Sequence, residues 1–291
     1  MNAMLAFIFL NFIQEALPMT AVQLLREMKS RTIYAYMRLS YSRKCRLYCV
    51  GAAKTGTHSI DTMFDDTVKS QHEADDEEVI RKILEISAGH ISAADLVSFI
   101  RQRDKRLCLD VDSSQLNFFL LDQLLQEFPD ALFLLTIRDC YSWLNSFIDD
   151  SLRRQPSGNW IKLREHRFRS GTFEHPAQEQ ALKEKGLYTL DGYLSYWASH
   201  NNQVLAKVPE DRLMIVRTEE ITKKAFEIAD FAGLPRYCVQ PQHSHAFRNP
   251  ERFHVLRQIP EDYLEAKVKE HCGPLMARFF PEIRSISDAG I

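Results

Sequence analysis

The 291-residue sequence lacks the cysteine patterns that bind zinc or carry out thiol exchange. Its six cysteines, at positions 45, 49, 108, 140, 238 and 272, include no CxxC pair and have no matching histidine cluster. That leaves reduced thiols acting as small hydrophobes, with Cys49 and Cys108 inside strongly apolar runs. An excess of either charge is also missing. Lys and Arg number 37 against 39 Asp and Glu, a net of -2, which excludes the chain-wide basic field that nonspecific nucleic-acid binding requires, though a basic site can exist locally. No hydrophobic run is long enough to span a bilayer. The strongest, residues 4–13, has no basic segment before it and no clear small-residue cleavage site after it, so it reads as a helix docked on the body of a cytoplasmic protein, with a membrane anchor as the alternative. Met19 competes with Met1 as the natural start, and neither internal repeats nor low-complexity tracts are present.

What is there suits one large hydrophobic core, since 45% of residues are apolar in the broad sense and 26% are charged. The expected organisation is an N-terminal helical extension over 1–40, with a second surface helix at 21–37, followed by a single domain over 41–291. Residues 46–50 form a β-prone run ending at Gly51, and from Ser59 the apolar positions Ile60, Met63, Phe64 and Val68 recur at helical spacing. The acidic stretch 73–78 opens a helix whose buried stripe is Val79, Ile80, Ile83, Leu84 and Ile86. Residues 107–111 read as a second buried strand, 116–128 as a helix stopped by Pro129, and 131–137 as the most hydrophobic strand. A helix over 190–208 leads to a last strand over 212–216. Continuous apolar runs without alternation indicate strands covered on both faces, hence a three-layer α/β/α fold with a central, mainly parallel sheet. Residues 156–185 are polar and basic with little periodicity, and read as an irregular surface excursion whose cations suit an anionic acceptor or a lid.

The chemistry concentrates in GAAKTGTHS, residues 51–59, which joins a buried strand to a helix N-terminus where unpaired amides favour an anion. Glycine permits close backbone approach, Lys54 adds a mobile positive charge, and Thr55, Thr57, His58 and Ser59 can hydrogen-bond oxygens. The pattern departs from the nucleotide-triphosphate loop GxxxxGK[ST], because Lys54 precedes Gly56 and Thr57 follows it.

This loop resembles the 5'-phosphosulfate loop, K-[TS]-G-T-[TS], of sulfotransferases that use 3'-phosphoadenosine 5'-phosphosulfate (PAPS). That family carries a second signature, an Arg at the end of a central strand and a Ser eight positions later on the next helix. Here Arg138 ends ALFLLTI and Ser146 stands at that spacing, with Cys140 where Pro is common. The resemblance implies a P-loop sulfotransferase fold, with Ala53, Lys54, Thr55, Gly56, Thr57, His58 and Ser59 around the donor's 5' end and Arg138 and Ser146 on its 3'-phosphate. It implies no metal, adenosine 3',5'-bisphosphate as product, and a small-molecule or glycan acceptor. Residues 193–221 resemble the helix and strand that wall the cofactor. FAGLP at 231–235 followed by HSHAFRN resembles the late loop over the nucleotide, with Arg248 as a further 3'-phosphate contact, although the glycine-rich, basic character usual there is missing.

Acceptor activation calls for a base. The candidates, in order, are Glu73, His72 and Asp112. The first two resemble the Glu and His that glycan sulfotransferases place near the transferred group, while Asp112, with Asp110, leaves the carboxyl end of an expected strand, where open α/β sheets bind ligands. Glu73 also suits the acidic start of a helix, Asp112 suits a helix cap, and the polar run 112–117 suits acceptor binding. Two other functions compete: an ATP-dependent kinase, with Thr57 on magnesium and Asp110 or Asp112 as the second metal-side carboxylate, and a noncatalytic nucleotide-binding protein. No feature of the sequence sets the acceptor, O- against N-sulfation, or the oligomeric state.

Overall fold

The structure is a computed structural model and describes residues 41–156, 158–245 and 252–291. The expected extension over 1–40 and Arg248 lie outside the described residues. One compact unit runs from Lys44 to Ile291.

Its first strand shows why a layered fold results. In β1 (Leu47–Cys49), Leu47 and Cys49 pack with Ile60, Met63, Ala225 and Ile228, while Tyr48 and the following Val50 pack with Ile80, Ile83, Leu96 and Leu120. Both faces of the strand are covered, as an apolar run without alternation demands. After β1 come α1 (Thr57–Thr62), β2 (Ser70–His72), α2 (Asp76–Ser87), α3 (Ala93–Leu107) and β3 (Val111–Ser113). A 3-10 turn over Gln115–Leu120 leads into α4 (Leu121–Glu127), then β4 (Leu132–Ile137), α5 (Cys140–Arg153), α6 (Asn159–Phe168), α7 (Gln180–Glu184) and α8 (Leu190–Lys207). Strand β5 (Leu213–Arg217), α9 (Ala225–Phe231) and α10 (Glu261–Phe279) complete the described chain.

The five strands are all parallel, in the order β2-β3-β1-β4-β5. From β1 the chain turns toward β3 and β2, and from β4 it turns toward β5. Connections that diverge from adjacent parallel strands open a crevice at their carboxyl ends. Here that crevice lies between the loop after β1 and the segment after β4. Around α5, α8 and α10 the largest core cluster, with Trp143, Trp197, Tyr193 and Phe168 buried, fixes the segment after β4.

Four expectations are corrected. Helix α1 stops at Thr62 because Gln240 N–H donates to Met63 O at 2.7 Å and Phe64 bridges Val239, so Met63, Phe64 and Val68 are buried without continuing the helix. Strand β2 was not foreseen; it is a three-residue edge strand with no apolar side chain. The strand expected over 107–111 lies at Val111–Ser113 instead, because α3 persists through Leu107 and is capped by Cys108 in the left-handed region (φ 48). The excursion over 156–185 is partly helical, with Leu163 and Phe168 of α6 buried on the core.

Candidate functional site

The loop after β1 is shaped by a close approach to β4. A Cβ on Gly51 would meet Thr136 Oγ1 at 2.0 Å and Thr136 O at 2.7 Å, so only glycine lets the chain leave the strand here. The turn is completed by Lys54 (φ 66) and Gly56 (φ 105), and a Cβ on Gly56 would meet Ile221 Cδ1 at 2.4 Å. Three of the loop's carbonyls are already engaged. Trp143 Nε1 donates to Ala53 O at 2.8 Å, Thr55 Oγ1 to Ala52 O at 2.7 Å, and Thr218 Oγ1 to Thr55 O at 2.7 Å. An incoming anion therefore meets few competing acceptors.

Ala53, Lys54, Gly56, Thr57, His58 and Ser59 of this loop line a cavity of about 740 Å³, together with His72, Glu73, Arg138 and Ser146. Residues far apart in sequence are thus brought to one crevice. Arg138 follows β4 directly; Asp139 Oδ1 accepts from Ser142 N at 2.8 Å, capping α5, whose second turn carries Ser146. Among the described residues no carboxylate pairs with the Arg138 guanidinium, and burial pushes its pKa down. Lys54 Nζ lies 3.2 Å from Asp150, which also pairs with Arg153 at 2.9 Å. Burial acts to raise the Asp150 carboxyl, but these two cations prevail and hold it below its ordinary value.

The two foremost base candidates follow β2. His72 Nε2 is 3.2 Å from Thr57 Oγ1, and its ring meets His58 edge-on with centroids 5.0 Å apart. Burial lowers the His72 imidazole, with Glu73 acting the other way, so the ring is neutral at neutral pH. Glu73 has φ 49 and donates its N–H to Ser113 O at 3.1 Å. Its Oε1 accepts from Gln115 Nε2 at 2.6 Å, and Gln115 Oε1 accepts from Arg167 Nη1 at 2.7 Å.

Three sequence candidates stand elsewhere. Thr55 is buried beneath the loop, its hydroxyl 2.8 Å from Thr136 Oγ1, and does not line the cavity. Asp112 does not line it either. Its Oδ2 accepts from Arg103 Nη1 at 2.5 Å, and Arg103 Nη2 donates to Ala74 O at 2.9 Å, so the pair clamps the turn that carries Glu73. Asp110 precedes β3 rather than leaving it, and accepts from the N–H groups of Lys44 and Lys69 at 2.6 and 2.9 Å. The shifted strand explains both aspartates.

Phe147, Asp150, Arg154, Trp160 and Arg252, which no motif marks, also line the cavity, as do Arg164 and Arg167 of the basic stretch whose cations suit an anionic acceptor. On α6 a signal existed: Trp160, Arg164 and Arg167 recur at i, i+4 and i+7, one face of a helix, flanked by the buried Leu163 and Phe168. In all, six cationic side chains and two carboxylates line the cavity.

No helix among the described residues is long and apolar enough to cross a membrane. No curated protein matches the sequence. Among solved structures, a sulfotransferase from Alicyclobacillus acidocaldarius is similar, with 16% identity and a TM-score of 0.45, over 81% of this chain and 96% of that one. A family model described as "Sulfotransferase domain" matches residues 46–221, from the start of β1 through Ile221 against Gly56, more than half of the chain. The matched span contains the loop, Arg138, Ser146 and the turn bearing Glu73, and on it the chain belongs to the sulfotransferase domain family.

Proposed function

We propose that this sulfotransferase takes its sulfuryl group from PAPS and delivers it to a hydroxyl or amine of a small-molecule or glycan acceptor, in the cytoplasm. The observation that carries this reading is the common cavity: Lys54 and the loop after β1 open on the same space as Arg138 and Ser146 after β4. An adenosine donor phosphorylated at 3' and 5' offers two anionic ends, and the cavity offers two sets of cations and hydroxyls on adjacent strands.

When bound, such a donor supplies an activated sulfuryl group whose departure leaves negative charge on the phosphate. Lys54, now paired with Asp150, is the cation placed beside the loop to meet that charge. Thr57, His58 and Ser59 offer hydrogen bonds to the 5' end, and Arg138 with Ser146 holds the 3' end. Glu73 is the base of choice for the acceptor proton: it lines the cavity, its carboxylate is oriented by Gln115, and the turn beneath it is clamped by Arg103. Neutral His72 stands beside it as the second candidate. The kinase alternative requires Asp110 or Asp112 at the cavity, and both are committed elsewhere.

Titration with adenosine 3',5'-bisphosphate and with ATP tests this. The bisphosphate binds more tightly than ATP, and Arg138→Ala weakens it by at least about 2 kcal/mol, the scale of a lost charge-assisted contact. A preference for ATP, or indifference to Arg138, contradicts the proposal. Mass measurement of a sulfated product separates an enzyme from a noncatalytic binder.

A further inference from the structure

The cations on α6 are left over when the donor is accounted for. Trp160, Arg164 and Arg167 face the cavity along that helix. Arg167 is 7% exposed, and neither it nor Arg164 forms an ion pair among the described residues, Glu73 and Asp150 acting on them only from further off. The Nε of each is buried without a hydrogen-bond partner. Arg164 donates to Ser151 Oγ at 3.1 Å and Arg167 to Gln115, and aromatic faces take part of the burden: Phe147 lies 5.2 Å from Arg164 and Phe168 lies 4.7 Å from Arg167. Two neighbouring guanidiniums thus share a largely desolvated wall, offset only in part by the more distant Asp150 and Glu73 carboxylates. Burial pushes both pKa values down, and for Arg164 the charge of Arg167 adds to it. Such an arrangement is costly unless something negative enters.

Topology separates Arg167 from the donor's grip. Arg138 follows β4, on one side of β1. Arg167 is joined through Gln115, just past β3, to Glu73, just past β2, on the other side. Arg167 therefore stands on the side of the base, where the acceptor hydroxyl must come, and Arg164, one turn earlier on α6, reaches from there to Ser151 on α5.

We infer that the acceptor itself carries an oxyanion, a carboxylate or a sulfonate-type group, and that Arg164 and Arg167 receive it while Glu73 faces its hydroxyl. This rests on the assignment of Glu73 and of a bisphosphorylated donor proposed above. Phe147 and Trp160 on the cavity wall favour a flat scaffold between the two groups.

The test uses the full chain saturated with adenosine 3',5'-bisphosphate, titrated calorimetrically with three phenols of one size: 4-hydroxybenzoate, 4-hydroxybenzenesulfonate and neutral 4-hydroxybenzamide. At least one anionic phenol binds about ten-fold or more tighter than the amide, and the better of the two identifies the oxyanion. In Arg164→Gln that preference falls below about three-fold, Arg164→Lys restores part of it, and affinity for the bisphosphate stays within about three-fold of wild type. Arg167→Gln behaves alike if it folds; Arg164→Gln decides the matter if it does not. Equal affinity for the amide, no binding of any phenol, or a preference that survives Arg164→Gln overturns the inference. So does a loss of about ten-fold in bisphosphate affinity, which would assign the pair to the donor. If wild type fails to bind the bisphosphate, the donor assignment falls instead, and the same three titrations without it still decide whether the arginines select an anion.

Discussion

Lys54 and Glu73 share an uncommon backbone: both are non-glycine residues in the left-handed region, at φ 66 and 49. Such conformations cost about 1 kcal/mol or more each and persist where the surroundings over-determine them. Here the surroundings are the Trp143 and Thr218 bonds to the loop and the Arg103 bond to Ala74 O. The chemistry of the loop was legible residue by residue, because an ammonium, hydroxyls and glycines at those positions define what they can bind. Asp112 was not, since its role depends on which end of β3 it occupies. The two carboxylates are separated by mutation. Glu73→Gln lowers sulfuryl transfer by about 100-fold or more, on the scale of a lost general base, with donor affinity and melting temperature unchanged. Asp112→Asn takes the nearer of two carboxylates from buried Arg103, Asp75 remaining at 3.7 Å, and costs about 1.5–3 kcal/mol of stability, read by urea unfolding. Full activity of Glu73→Gln would remove it as the base, and an unchanged unfolding curve for Asp112→Asn would remove the clamp.

At the scale of elements, the long apolar strands and α8 were readable because burial on both faces imposes unbroken hydrophobic runs. Strand β2 was hidden by its polarity and edge position, and α6 by cations that face a cavity rather than solvent. Helix α8 also contributes an anchor that no motif marks. His200 Nε2 donates to Val50 O at 2.7 Å, at the root of the loop, while its Nδ1 accepts from Tyr196 Oη at 3.2 Å and its ring stacks on Phe118. Burial lowers this imidazole to about 4 from an ordinary 6.5. Below its ordinary value the unfolded chain takes up a proton there that the native ring refuses, so the site's contribution to stability is lost as pH falls from 6.5 toward about 4. The loss is about 3 kcal/mol across that window. Urea unfolding of wild type and His200→Gln between about pH 7 and about pH 4 checks it: the variant shows the shallower dependence, and parallel curves would refute the anchor's titration.

Across the whole molecule, near-neutral charge conceals a strongly basic cavity: a chain of net -2 lines it with six cations against two carboxylates. Composition excluded a general polyanion binder, and only folding shows where the positive charge is gathered. The parallel order β2-β3-β1-β4-β5 does the gathering, by setting the carboxyl ends of β1 and β4 side by side. Strand type and sheet class followed from apolar runs, whereas the α6 wall of the cavity required tertiary contacts among α6, Gln115 and Glu73.

A thermodynamic cycle tests directly whether one adenosine molecule is held at both ends. Calorimetric affinities of adenosine 3',5'-bisphosphate and adenosine 5'-monophosphate are compared on wild type and on Arg138→Ala. Removing the 3'-phosphate costs wild type at least about 2 kcal/mol and costs Arg138→Ala much less, only what the Ser146 contact contributes, because the two deletions break the same guanidinium contact. Equal costs on the two proteins would show that Arg138 and the 3'-phosphate never meet.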